Sequence, residues 1–264
     1  MSTIQAYATA TRPPASASNV GLTIFNTTNK SINVSDGTNW RSWANDGVYS
    51  QVASFDGIND YIDTGTKFDF IQQTCEFSIT CWVKFTDHTS TADNQAILST
   101  NYTGSQKGFY LFYDNRSSNK ILRTLFRAGS NSDISANNAV SDDDWFHVAV
   151  TCAAGGTQKL YVDGSVIGST AAPSTTADSA YYNMTLGAGL VSAVTPSYFF
   201  GGYLDEVSFF DSELSSGDIT NLISSHNYTG ATSLYKFEGN ANDSIGNNNG
   251  TNNGATFEGD IVGL

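Results

Sequence analysis

Positive charge is what this sequence has least of. Lysine and arginine together number 12 against 25 aspartates and glutamates, for a formal charge of −13, and charged residues of both signs fill only 14% of the 264 positions. A chain without a basic patch has little with which to neutralise a phosphate backbone or an anionic lipid surface, so neither nucleic acid nor membrane is expected as a partner. Long apolar runs are missing as well. None approaches the roughly 20 residues a bilayer span needs, and the opening MSTIQAYATATRPPASASN has neither the charged start nor the apolar core of a signal peptide. A soluble protein made in a cytoplasm is the expectation. Cysteine is scarce: Cys75, Cys81 and Cys152 cannot all pair with one another and none sits in a CxxC or CxxH spacing. They read as small buried thiols and not as a disulfide framework. Helical periodicity is nearly absent, which excludes a bundle.

What is present is a succession of short strands. From Val52 onward QVASF, DYIDTG, CEFSITCWVKF, QAILSTN, GFYLFYD, ILRTLFRA, WFHVAVTC, QKLYVDGSVIG, MTLGAG, GGYLDEVSFF and SLYKFEG alternate apolar with polar residues, and the breaks hold Gly, Asn, Asp or Ser. In CEFSITCWVKF, Phe77, Ile79, Cys81 and Val83 point one way and Ser78, Thr80 and Trp82 the other, so one face is expected to be core. Such spacing predicts an all-β, two-sheet antiparallel sandwich. One helix is expected, in SSGDITNLISSH, where Ser215 and Asp218 form a capping box and Ile219, Leu222 and Ile223 share a face over an end of the sandwich. The first 20 or so residues, stiffened by Pro13 and Pro14, read as an extended arm, and GLTIFNTTNKSINVSDGTNW reads as a two-strand clip. Residues 1–50 are therefore set apart from residues 51–264.

FDGINDYIDTG, EFSITCWVKF, DDDWFHVAVTCAAGGTQKLYVDGSVIG and GGYLDEVSFFDSELSSGDITNLI, in this order, resemble the LamG-like jelly rolls of the concanavalin A-like lectin and glucanase superfamily. The resemblance implies a jelly-roll sandwich in which Phe55, Tyr61 and Ile62 pack in the core and Asp56 and Gly57 only bend the chain. SLYKFEGNANDSIGNNNGTNNGATFEG also resembles segments of that family, which frequently precede the FDG strand; here it follows the helix, so either terminal strand order differs or the end forms an appendage. The clip resembles a short element of tailed-bacteriophage structural proteins.

Glucanases of this superfamily set acids on alternate residues of one strand, so that they share a face about 5 to 5.5 Å apart. Here Asp205 and Glu206 are adjacent and should point to opposite faces. No hydrolase motif is present, and His88, His147 and His226 fall in a loop, a strand and a helix end. His147 reads as a structural residue of the Trp-x-His strand. Calcium is the chemical alternative, because hard cations take oxygen ligands and NANDSIGNNNGT offers Asp243, Asn247 and Asn249 close together. By the resemblance, Asp205 would complete the set. Without a metal the same loop is Asn-Gly turn chemistry. Sugar binding would need aromatic rings on loops, for which Tyr102, Tyr181, Tyr182 with Asn183, and Tyr198 are the candidates.

These readings converge on a non-enzymatic structural or decoration protein at a virion surface, whether capsid, head fibre or tail fibre. It would attach to other virion proteins through Leu22, Ile24, Phe25, Trp40 and Trp43 and form homo-oligomers. The alternative is a carbohydrate-binding receptor-recognition module directed at host-surface glycans. A glycoside hydrolase is the third class, and the acid motif it requires is missing.

Overall fold

The structure, a computed structural model, describes residues 5–7, 13–14, 16, 18, 23–26, 31–35, 40–42, 51–86, 94–100, 107–114, 120–141, 144–176, 181–192 and 195–259. Two compact units divide between Gln51 and Val52. In the first, β1 (Gln5–Tyr7), β2 (Thr23–Asn26), β3 (Ser31–Ser35) and β4 (Trp40–Ser42) form one sheet in that order. β2 and β3 pair antiparallel with Phe25 opposite Ile32, as the clip predicts. The clip is larger than two strands, however. β4 adds to β3, and β1, from the segment read as an arm, adds parallel to β2 with Gln5 opposite Ile24. A strand of three residues takes its hydrogen bonds from its neighbour, so local composition gives little warning of it. Ile24 is buried. Phe25 and Trp40 lie in β2 and β4, whereas Leu22 and Trp43 fall outside the described residues.

The second unit is a two-sheet sandwich. One sheet runs β11 (Asn131–Asn137), β10 (Ile121–Arg127), β9 (Gly108–Asp114), β8 (Asn94–Ser99), β15 (Thr185–Leu186), β6 (Tyr61–Asp63) and β20 (Thr251–Asn253). The other runs β14 (Ser165–Ala171), β13 (Thr157–Val162), β12 (Trp145–Cys152), β7 (Phe77–Phe85), β18 (Gly201–Phe210), β5 (Gln51–Asp56) and β21 (Thr256–Gly259), with β19 (Ser233–Tyr235) also on β18. A small hairpin, β16 (Gly189–Ser192) and β17 (Thr195–Ser197), stands apart from both. Alternation selects the core: Phe77, Ile79, Cys81 and Val83 of β7 meet Phe109, Leu111 and Tyr113 of β9 and Leu122 and Phe126 of β10 in one cluster. A polar link crosses that interior, where Gln158 Nε2 donates to Thr124 Oγ1 at 3.0 Å and Ser132 Oγ donates to Gln158 Oε1 at 2.5 Å. Because each of these buried polar atoms has a partner, the link fixes the register of one sheet on the other at little desolvation cost. Cys75, Cys81 and Cys152 are all free and buried.

Two expectations need correction. β7 is buried on both faces, because α2 (Ser216–Ser225) lies over the outer face of its sheet and not over an end of the sandwich. Ile219 packs on Ala149 and Tyr161, and Leu222 packs with Phe210, Tyr228 and Leu234. The Ser215 and Asp218 capping box is present. The C-terminal segment is no appendage: β20 extends one sheet beside β6 and β21 extends the other beside β5. A one-turn helix, α1 (Phe70–Gln73), carries no periodicity that a sequence could reveal.

Candidate functional site

β6 has the local pattern Tyr61, Ile62, Asp63. Ile62 is fully buried in the core, so the period-2 geometry of a strand turns Tyr61 and Asp63 to the outer face of the seven-stranded sheet. Tyr61 is therefore not the core residue that the family resemblance implied. The chain beyond β6 is tied to the segment before β15, since Thr64 N and Oγ1 both donate to Met184 O, at 3.0 and 2.9 Å, and Met184 N donates to Thr66 O at 2.7 Å. These bonds bring Lys67 beside Tyr182 and Asn183. Tyr182 is held in turn by its N–H, 2.7 Å from Thr100 O. The hairpin supplies a wall: Leu190 and Pro196 are cross-strand partners, and the hairpin is docked by Ala96 N donating to Tyr198 O at 2.8 Å.

The result is an open cleft of about 350 Å³ over β6 and β15. Tyr61, Asp63, Lys67, Tyr182 and Asn183 provide its polar and aromatic lining, and Thr185, Leu190 and Pro196 its remaining wall. Asp63 Oδ1 accepts the Gly65 N–H at 2.8 Å. Its second oxygen, the Asn183 amide and the phenols of Tyr61 and Tyr182 make no hydrogen bond with any described residue. Such groups can exchange their waters for the hydroxyls of a ligand while the rings offer an apolar face.

Of the sugar-binding candidates read from sequence, Tyr182 and Asn183 line this cleft. Tyr181 does not present its ring. It is 1% exposed, its hydroxyl donates to Asp69 Oδ1 at 2.7 Å, and Lys67 Nζ sits 5.3 Å from its ring centroid. Consecutive residues of an extended segment point to opposite sides, so one of the tyrosine pair had to turn inward. Tyr198 packs on Ala96, Tyr110, Phe112 and Leu125 and anchors the hairpin. Tyr102 lies outside the described residues. Reading the sequence missed Tyr61, Asp63, Lys67 and the apolar wall.

The oxygen-rich loop is organised around Asp243. Its Oδ1 accepts the N–H groups of Leu234, Ile245 and Gly246 at 3.0, 3.1 and 2.9 Å, and Oδ2 accepts that of Asn248 at 3.3 Å. Asn249 Oδ1 accepts the Asp243 N–H at 3.1 Å. Burial alone would raise this carboxyl, but the N–H donors outweigh it and hold the group below its ordinary range. Among the described residues no three His, Cys, Asp or Glu side chains converge as a metal cluster would require. Asn247, the remaining residue of the expected set, lies on the same loop.

Asp205 and Glu206 also depart from simple alternation. A bulge falls between Asp205 and Ser208 of β18, and Glu206 adopts φ 47°, so the two residues do not simply face opposite sides. Glu206 Oε2 stands 2.6 Å from His226 Nδ1 and accepts the Tyr228 hydroxyl, also at 2.6 Å. Asp205 Oδ1 accepts the Glu206 N–H at 2.7 Å, and burial, with the Glu206 charge adding to it, pushes its carboxyl well above the ordinary range. Asp205 is thus buried, and Glu206 already has two partners.

The family model of the concanavalin A-like lectin/glucanases superfamily matches residues 55–220, more than half of the chain, and the protein belongs to that superfamily. No curated protein sequence matches it. Among solved structures, a Bacteroides ovatus protein described, without an assigned ligand, as carbohydrate binding superposes with a TM-score of 0.57 at 18% identity, over 80% of this chain and 60% of that one. The CBM40 of the Ruminococcus gnavus IT-sialidase, bound to α2,6-sialyllactose, gives 0.52 at 17% identity, over 67% of this chain and 99% of that one. The heptameric pentraxin of Limulus polyphemus gives 0.50 at 16% identity, over 66% and 82%. At these identities the likeness is one of fold.

Proposed function

We propose that this protein is a non-catalytic, carbohydrate-binding lectin-like module whose sugar site is the cleft over β6 and β15. The observation that carries this reading is the lining itself: Tyr61 and Tyr182 beside Asp63 and Asn183, whose amide and second carboxylate oxygen have no hydrogen-bond partner among the described residues. Sugars carry apolar C–H faces that pack on rings and hydroxyls that need donors and acceptors of both kinds, and phenols, an amide and a carboxylate supply both. Two of the similar folds are described as carbohydrate-binding or are bound to a sialylated sugar, which supports the class though not the ligand. The first unit serves in this reading as the attachment region. It fixes several copies of the module to a larger assembly, with a virion surface as the setting favoured by the bacteriophage-like clip.

A glycan array probed with the full-length protein tests the sugar site. Tyr61→Ala and Tyr182→Ala should each weaken any captured glycan by about two- to tenfold, in line with the ~0.5 to 1.5 kcal/mol attributed to an aromatic contact beyond its buried area, with the melting temperature little changed. Glycan capture that both variants leave untouched would move the site elsewhere.

A further inference from the structure

We infer that the cleft selects a neutral N-acetylated hexosamine over a plain hexose or an anionic sugar, an inference that rests on the cleft being the sugar site. Charge is the first reason. Asp63 and Lys67 both line the cleft and offset one another, and Lys67 already lies against the Tyr181 ring. Around them the protein carries a formal charge of −13, so an anionic sugar would approach against the field of the whole molecule.

The second reason is the shape of the polarity. Leu190 and Pro196, paired across the hairpin, make an apolar corner, and the Thr185 hydroxyl beside them is directed to the carbonyls of Ser99 and Ala188, at 3.1 and 2.6 Å. A sugar hydroxyl placed in that corner would give up water without gaining a partner. A methyl group loses nothing by being there. The same cleft holds an unpartnered carboxylate oxygen on Asp63 and an unpartnered amide on Asn183. An acetamido substituent combines these three requirements: a methyl for the corner, an N–H that donates to Asp63 and a carbonyl that accepts from Asn183 Nδ2. A hexose has only a hydroxyl at that carbon, and an unacetylated hexosamine brings a cation with no methyl.

The test is a set of titrations of the full-length protein by calorimetry or saturation-transfer NMR. The probes are the methyl glycosides of N-acetylglucosamine and N-acetylgalactosamine, their hexose and free-amine counterparts, and sialyllactose. At least one N-acetylated glycoside should bind about tenfold or more tighter than its hexose, the scale on which a pocket discriminates a single methyl-sized group. That preference should fall toward unity in Asn183→Ala, a substitution outside the core, and in Leu190→Ser if that variant remains folded. Equal binding of hexose and N-acetylhexosamine, both weakened by Tyr61→Ala, would overturn the selectivity and leave the sugar site standing. Tighter binding of sialyllactose than of either N-acetylhexosamine would overturn the preference for a neutral ligand. If no probe binds and the array is blank as well, the inference and the reading beneath it fall together.

Discussion

His226 and Glu206 stand 2.6 Å apart, imidazole Nδ1 against carboxylate oxygen, while His147, whose ring like that of His226 packs against Trp82, has neither ring nitrogen partnered by any described residue. The two histidines therefore respond to pH in opposite senses. The hydrogen bond to Glu206 raises His226 above its ordinary 6.5, so its stabilisation is complete below that value and is lost as pH rises through the folded-state pKa. Burial instead pushes His147 down to about 4, so the unfolded chain gains a proton that the folded one refuses, and stability falls as pH drops from 6.5 toward that value. Melting temperature against pH should show both limbs. His226→Gln should flatten the alkaline limb and His147→Phe the acid one above pH 4; a profile unmoved by either change would show that these rings do not control it.

Asp243 carries a second expectation. Asp243→Ala removes a charged acceptor from four backbone donors, and since one bond to a charged group is worth roughly 1.5 to 3 kcal/mol and the freed donors can turn to water, the loss should be about 2 to 4 kcal/mol and not the sum of four such bonds. Because its folded-state pKa is depressed, this contribution is present above the unfolded value and lost as pH falls through the folded one. Calcium is tested on the same loop. With its carboxylate already occupied by N–H donors, a chelator should leave the melting curve in place, and a clear fall would mean that the asparagines bind a cation.

Gly254 has φ 98°, and a Cβ there would lie 2.1 Å from Asp60 Oδ1. Asp60 Oδ2 accepts the Asp56 N–H at 3.0 Å and is not free to move away. Gly254→Ala should cost about 1 to 3 kcal/mol through the backbone conformation alone, read as a lower denaturation midpoint at an unchanged slope.

A protein starting at Ser50 should fold, melt within a few degrees of the full chain and keep its sugar preference, since both sheets lie in the second unit. It should fail to associate with purified particles that lack the native protein. Co-sedimentation equal to that of the full chain would place attachment in the sandwich instead.

The strands were legible because alternation is a local property: β7 sorts Phe77, Ile79, Cys81 and Val83 inward, as its sequence reads. What covers the other face was not, since the burial of Trp82 and the 2.6 Å contact of Thr80 with Ser208 depend on packing remote in sequence. Half of the cleft could be read from YYN, as a tyrosine and an asparagine on an exposed-looking segment. Tyr61 and Asp63 are within reach too, because they flank the buried Ile62, but the family resemblance assigns Tyr61 to the core beside Phe55 and Ile62 and gives Asp63 no role. Lys67, Leu190 and Pro196 carry no local signal, and only the pairing of β15 with β6 and the docking of the hairpin bring them together. Glu206 eluded alternation because the bulge adds a residue that no pattern announces.

Strands β20 and β21 are separated only by Gly254 and Ala255, yet one borders the seven-stranded sheet and the other its partner. The edges beside β6 and β5 thus stay open until residues 251–259 have been made. During synthesis the ribosome releases the bulk of the jelly roll first, as a sandwich with two bare strand edges that could pair with any neighbouring chain. The sandwich is complete only when residues 251–259 have joined both sheets.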